Sequence, residues 1–132
     1  MYGALDISTS GLVAQRAQLD TIAGNIANAQ TTQRLDGKPG PFLRKVALLS
    51  AREGDNPGVQ VAGVVEDTVR PPRPVKDPSH PDANEDGIVY YPNVDPMVEM
   101  VNAMVAVRAY EANVTAMEAT KTIVSSSLRL LA

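Results

Sequence analysis

The stretch DPMVEMVNAMVAVRAYEANVTAMEATKTIVSSSLRLL, residues Asp95–Leu131, decides the fold. It opens with Asp95, a side-chain acceptor, directly ahead of Pro96, the order of an N-cap followed by proline at the first helical position. No proline or glycine lies beyond Pro96, so nothing inside the stretch breaks a helix. A 3-4 spacing then runs through Met100, Ala103, Val107, Tyr110, Val114, Met117, Lys121, Val124, Leu128 and Leu131. Nine of those ten positions are apolar, with Lys121 the break, which predicts a helix over 97–131 carrying a heptad seam. At ~1.5 Å per residue such a helix is about 50 Å long. A small globule cannot cover that length, so the seam calls for a partner helix.

The N-terminal segment supplies the partner. Leu5, Leu12, Leu19 and Ile26 recur every seven residues, and Ile22 strengthens the same face. The remaining positions carry Ser8, Thr9, Gln15, Gln18, Thr21, Asn25 and Asn28, where a solvated helix would carry Lys and Glu. Gly11 and Gly24 each cost ~1 kcal/mol relative to Ala in a helix interior, so this helix is marginal alone. Glycine and small residues also let helices approach closely. The lack of charge favours a helix pair packed against other subunits over an ordinary helix pair inside a monomer.

Between the helices the composition changes. All ten prolines lie between Pro39 and Pro96, and no glycine follows Gly87. The chain therefore divides into an N-terminal helical segment at 1–36, a central segment at 37–96 and a C-terminal helical segment at 97–132. Residues 1–36 hold two basic and three acidic groups and 97–132 hold three of each, leaving most of the charge in the middle. Lys45–Ser50 and Val59–Glu66 read as short strands, joined by a turn at Gly54, Asn56, Pro57 and Gly58. The run from Arg70 to Pro74 reads as polyproline-like, and Ile88–Tyr91 as a third strand ended by Pro92. The expected fold is mainly α: N- and C-terminal helices paired as a coiled coil, with a central extended, Pro-rich segment containing short β-strands.

Composition narrows the function. The chain has 132 residues, 44% of them hydrophobic, and 17 Ala and 16 Val dominate that set beside one Phe and no Trp. A deep core is hard to build from such small side chains. A net charge of −3 removes the electrostatic footprint of a nucleic-acid binder. No stretch approaches the ~20 apolar residues that cross a bilayer, and no cleavable secretory signal is visible. Zero cysteines exclude a disulfide scaffold, a thiol nucleophile and a Cys-based zinc site.

Two patterns invite a chemical reading. Asp82-Ala83-Asn84-Glu85-Asp86-Gly87 matches the first half of a calcium loop, and Val89 fits its apolar eighth position. The twelfth position is Asn93, however, where a bidentate Glu is needed, and Pro81 precedes the loop. A tight acidic turn accounts for the same residues. His80 is the only histidine. A lone His does not make a zinc site, and although Asp77 and Asp82 flank it, no nucleophile context completes a triad. The expectation is no catalytic residue, no metal, no cofactor and no enzyme.

Two longer motifs carry more information. Leu5-Asp-Ile-Ser-Thr-Ser-Gly-Leu-Val-Ala-Gln-Arg16, followed by Asn25-Ile-Ala-Asn28 and Thr31-Thr32, resembles the N-terminus of the flagellar rod and hook axial proteins. Arg108-Ala-Tyr-Glu-Ala-Asn-Val114 is similar to their C-terminal signature. The central run Asp77-Pro-Ser-His-Pro-Asp-Ala-Asn84, with Gly87-Ile-Val and Pro92-Asn-Val, is similar to one proximal rod member of that family. The Gly-Tyr-Lys that often follows Thr-Thr in rod and hook relatives is replaced here by Gln33-Arg34-Leu35-Asp36-Gly37, which fits the short rod member.

The resemblance implies a structural subunit of the proximal rod of the bacterial flagellar basal body. Such a subunit is exported from the cytoplasm by the flagellar type III apparatus without cleavage. It polymerises through its terminal helices into the torque-transmitting drive shaft that spans the periplasm. The implied partners are copies of itself, other proximal rod proteins, the adaptor joining the rod to the export gate, the distal rod and the export apparatus, with no nucleic acid. Carried over by motif, Asn25, Asn28, Thr32, Arg108, Tyr110, Glu111 and Asn113 would pack and hydrogen-bond between helices. Asn28 could equally cap a helix within one subunit. The alternatives are another rod-family axial subunit, or a helical adaptor that never polymerises.

Overall fold

The computed structural model describes residues 2–132 and opens with helix α1, Tyr2–Ala27. Strands β1 (Lys45–Ala51), β2 (Val59–Glu66), β3 (Arg73–Lys76) and β4 (Ile88–Tyr91) follow, and helix α2, Pro96–Leu131, closes the chain. α2 starts where local chemistry dictates. The Asp95 side chain accepts from the N–H groups of Met97 and Val98, satisfying donors that a helix N-terminus leaves free, and Pro96 occupies the first turn. The α1 terminus is closed by Asn28, whose Nδ2 donates to the Gly24 carbonyl at 2.9 Å. Asn28 is thus a cap within its own chain.

The helices pack side by side and antiparallel. Asn113 Nδ2 donates to Gln15 Oε1 at 3.1 Å, while Asn25 Nδ2, a helix length away, donates to Glu99 Oε2 at 3.1 Å. α2 is ten residues longer than α1. β1 and β2 form an antiparallel hairpin with Lys45 opposite Glu66 and Ala51 opposite Val59, and a bulge between Leu48 and Leu49. Its turn uses Gly54 and Gly58 at positive φ, which L side chains rarely adopt. The hairpin lies against α1. Ser10 Oγ accepts from the Val59 N–H at 3.0 Å, and a Cβ at Gly58 would stand 2.5 Å from that hydroxyl.

β3 departs from the polyproline reading. Arg73 and Pro74 pair with Tyr91 and Tyr90 in a second antiparallel hairpin. Proline lacks the ladder donor but is tolerated on an edge strand, and a two-stranded sheet is all edge. Val89 in β4 and Val94 just after it are buried. Among the described residues the buried hydrophobics are Ala14, Ala29, Val89, Val94 and Ala106, none larger than valine. The bulky apolar side chains stay outside, Met97, Met104 and Val105 among them, each about two-thirds exposed. No described helix is long and apolar enough to cross a membrane.

Candidate functional site

The face of α2 turned towards α1 is built of small and polar groups. Glu99 and Ala106 are buried, and Asn102, Ala103, Ala109, Asn113, Met117, Thr120, Val124 and Ser127 are half-buried. Of the heptad positions, Ala103, Val114, Met117 and Val124 lie on this side. Met100, Val107 and Tyr110 are 54%, 42% and 39% exposed, and Leu128 and Leu131 lie out in solvent on the stretch of α2 that outruns α1. On α1, Leu5, Leu12, Leu19, Ile22 and Ile26 are half-buried. The heptad of α2 and its inward face diverge because close helix approach selects for small volume, whereas the heptad records hydrophobicity.

Gly11 shows how close that approach is: a Cβ there would stand 2.8 Å from Asn113 Nδ2. Gly24 differs, with nothing within 4 Å of its notional Cβ, so only Gly11 serves the close packing.

Where the helices meet the first hairpin, a polar node forms. Glu99 is wholly buried and Asn25 is 1% exposed. Glu99 Oε1 accepts from Arg44 Nε at 2.5 Å and Oε2 from Asn25. Asn25 also meets both backbone groups of Lys45, donating to the carbonyl and accepting from the N–H, each at 2.8 Å. One asparagine thereby continues the β1 ladder into α1 and braces α2. The Arg44 N–H donates to Asn93 Oδ1 at 2.8 Å, and Asn93 Nδ2 donates to the carbonyls of Asp67 and Arg70 at 2.9 Å. Among the described residues no buried side-chain polar atom lacks a partner, the condition under which a buried network rigidifies. Sequence motifs picked out Asn25 and contained Asn93 without giving it a role, but missed Arg44 and Glu99. Glu99 stands one residue from an apolar seam position, and only its place in the first turn of α2, where negative charge is favoured, hinted at a role.

A second network ties the loop after α1 to the rest. Thr32 Oγ1 donates to Asp82 Oδ2 at 2.6 Å, and Gln33 Nε2 donates to the other Asp82 oxygen. Arg34 bridges Asp36 and Glu66. The hydrogen bond from Arg34 holds both of those carboxyls below their usual range, and the bond from Thr32, aided by Gln33, does the same for Asp82. Groups whose folded pKa is lowered contribute stability that is complete above the ordinary carboxylate value and lost as pH falls through it towards the folded value. Melting temperature is therefore expected to hold from neutrality to about pH 5 and to fall below about pH 4. Arg34→Gln should flatten that acid slope and Thr32→Val should flatten it less. An unchanged slope in Arg34→Gln, followed by thermal melts across pH, would contradict the assignment.

The acidic turn is closed by protein donors. Asn84 Oδ1 accepts from the N–H groups of Asp86 and Ile88, Gly87 takes a positive φ of 72°, and Asp82 is engaged by Thr32 and Gln33. His80 Nδ1 accepts from the Asp82 N–H at 3.0 Å and its ring meets Tyr91 edge-on, a structural placement. Arg108 and Glu111 form an exposed ion pair at 2.8 Å on the outer side of α2.

Comparison with known proteins yields two family matches. Residues 5–33 match the family described as flagella basal body rod protein, and residues 85–130 match the flagellar basal body rod FlgEFG protein C-terminal family. Over 98% of its length the chain is 37% identical to the flagellar basal-body rod protein FlgC of Bacillus subtilis (strain 168), covering 97% of that protein. It is 41% identical to FlgC of Aquifex aeolicus (strain VF5), with 93% and 91% of the two chains covered. For FlgC of Salmonella typhimurium the identity is 38%, with 98% and 97% covered.

Proposed function

The chain belongs to the FlgC family of flagellar basal-body rod proteins and is a structural rod subunit, and from that premise we propose how it builds the proximal rod. It polymerises through its two terminal helices, which pack as a coiled-coil layer against those of neighbouring subunits, into the drive shaft that carries torque across the periplasm. The observation that carries this reading is the outward placement of the bulky apolar groups of α2. Met97, Met100, Val101, Met104 and Val105 are all more than half exposed, while small residues face α1. An apolar helix face of this extent favours burial in an assembly.

In this reading Arg108, Tyr110 and Glu111 lie on the assembly side and serve packing and hydrogen bonding between subunits. Met100, Val107, Leu128 and Leu131 meet neighbours, which are copies of this chain, other proximal rod proteins, the adaptor towards the export gate, or the distal rod. The subunit reaches that place through the flagellar type III apparatus, uncleaved. Its role is mechanical, without catalysis or cofactor.

Mass spectrometry of hook–basal bodies purified from a strain carrying this protein tests the proposal. The intact chain is expected there in proportion to other rod proteins. Its absence, with the protein remaining in the cytosol, would put the non-polymerising adaptor first. A second test is Val114→Glu, which sets an unpaired charge beside Asn113 on the half-buried seam at a cost of several kcal/mol where it stays buried. Rod assembly and motility should be lost, and normal swimming of this variant would sink the seam assignment.

A further inference from the structure

Apolar repetition leaves the alignment of the two helices open. Leu5, Leu12, Leu19 and Ile26 recur every seven residues, so a slide of one heptad, about 10.5 Å, brings a bulky aliphatic to where one stood before. The α2 face opposite offers mostly alanine, asparagine and threonine, whose shapes resist such a slide weakly. Two contacts do discriminate, one polar and one steric. Asn25 meets Glu99 at one end, and Gly11 receives Asn113 at the other. Asn25 lies fourteen residues after Gly11 on α1, and Asn113 lies fourteen after Glu99 on α2, two heptads in each case. The contacts therefore belong to a single row of facing positions. Midway along that row the same count sets Gln18 opposite Ala106, and both line one groove of about 280 Å³ between α1, α2 and β1. Glycine or alanine on one helix thus faces a longer polar side chain on the other, and where both are long, at Asn25 and Glu99, they are hydrogen-bonded.

We propose that this row is a register lock, in which Asn25–Glu99 and Gly11–Asn113 admit one antiparallel alignment of the terminal helices and reject those displaced by a heptad. A slide in one direction sets Gln18 against Asn113, two long side chains where the existing fit leaves no space for a Cβ. A slide in the other direction sets Ala106 against Gly11 and opens a void. Either slide takes the buried Glu99 away from Asn25, the first to beyond the end of α1 and the second to a place opposite Gln18. It also takes Glu99 from Arg44, because Arg44 is fixed to α1 through the adjoining Lys45–Asn25 pair. A buried carboxylate parted from its guanidinium is the strongest penalty available to this seam. Buried polar residues that set the alignment of paired helices are a well-attested use of such groups. The inference concerns the single chain and holds whether or not the chain polymerises.

Because the protein contains no cysteine, alignment can be read by oxidative cross-linking of introduced pairs in the full-length chain. Thr9 and Met117 are neighbours, with Oγ1 and Sδ 3.9 Å apart. Cysteines at 9 and 117 report the native alignment, and pairs at 9 and 110 or at 9 and 124 report a slide of one heptad. Measurements are made in trimethylamine N-oxide, which favours the compact state, with helix content followed by circular dichroism. The otherwise wild-type chain should cross-link only at 9 and 117. Adding Glu99→Leu with Asn113→Ala, which leaves Asn25 bound to Lys45, should keep the helices and raise the displaced products by at least about tenfold. Helices retained with the 9–117 product alone would overturn the lock. If that variant loses helix, Glu99→Gln with Asn113→Ala decides, since glutamine keeps the volume at 99 while both the stranded charge and the long side chain opposite Gly11 are gone. A rise in displaced products there supports the lock, and native product alone overturns it.

Discussion

Arg44→Ala is expected to lower the unfolding free energy by about 3 kcal/mol, the low end of the cost of removing one partner from a buried ion pair. The Glu99 carboxylate has no exposure to solvent, and after the substitution only the Asn25 amide would remain to it. The effect should exceed simple loss of a contact, because Arg44 also braces Asp67 at 3.8 Å across the hairpin junction. Urea unfolding followed by far-ultraviolet circular dichroism measures it. Arg44→Ala with Glu99→Leu should recover most of the loss, since replacing both partners removes the stranded charge. A single substitution that costs less than about 1 kcal/mol would place Glu99 in contact with water and contradict the node.

Two glycines of one helix should respond with opposite signs. Gly11→Leu drives a side chain into the space of Asn113, where even a Cβ would stand 2.8 Å from Nδ2. It should destabilise by about 2–3 kcal/mol through overpacking and, in the cell, reduce motility. Gly24→Ala meets nothing within 4 Å and should stabilise by about 0.5–1 kcal/mol, because alanine loses less backbone entropy in a helix. Parallel unfolding curves check both. Equal effects at the two positions would remove the argument that the helices touch most closely at Gly11.

The two tests bear on different parts of the molecule. The Arg44 node fixes the helix pair to the first hairpin, whereas Gly11 sets how near α2 can lie to α1. A helix pair that pivoted on its hairpin, or that slid, would present a variable outer face to its neighbours.

Much of this was readable from residues close together in the chain. Asp95 and Pro96 place the start of α2 because capping is satisfied within three residues. Lys45 and Val59 open strands where turn residues at Gly54 and Gly58 return the chain. Asn28 closes α1 through a bond four residues back, one of the two roles the sequence left open to it. The functional class was equally legible, since its motifs are linear and match known rod proteins.

The tertiary structure decided what depends on partners remote in sequence. Arg44 finds Glu99 across 55 positions, and Thr32 finds Asp82 across 50. It also decided which side of α2 faces α1. Hydrophobic periodicity measures transfer of side chains from water, and on that scale Met100, Val107 and Tyr110 form the seam. Packing of two backbones at close range instead rewards small volume and satisfied polar groups, so Ala106, Asn113 and Glu99 took the inner face. Local hydrogen bonding and capping act over a few residues and are written in the sequence. The choice between two competing faces of one helix is a competition of volumes, settled only when the partner helix is in place.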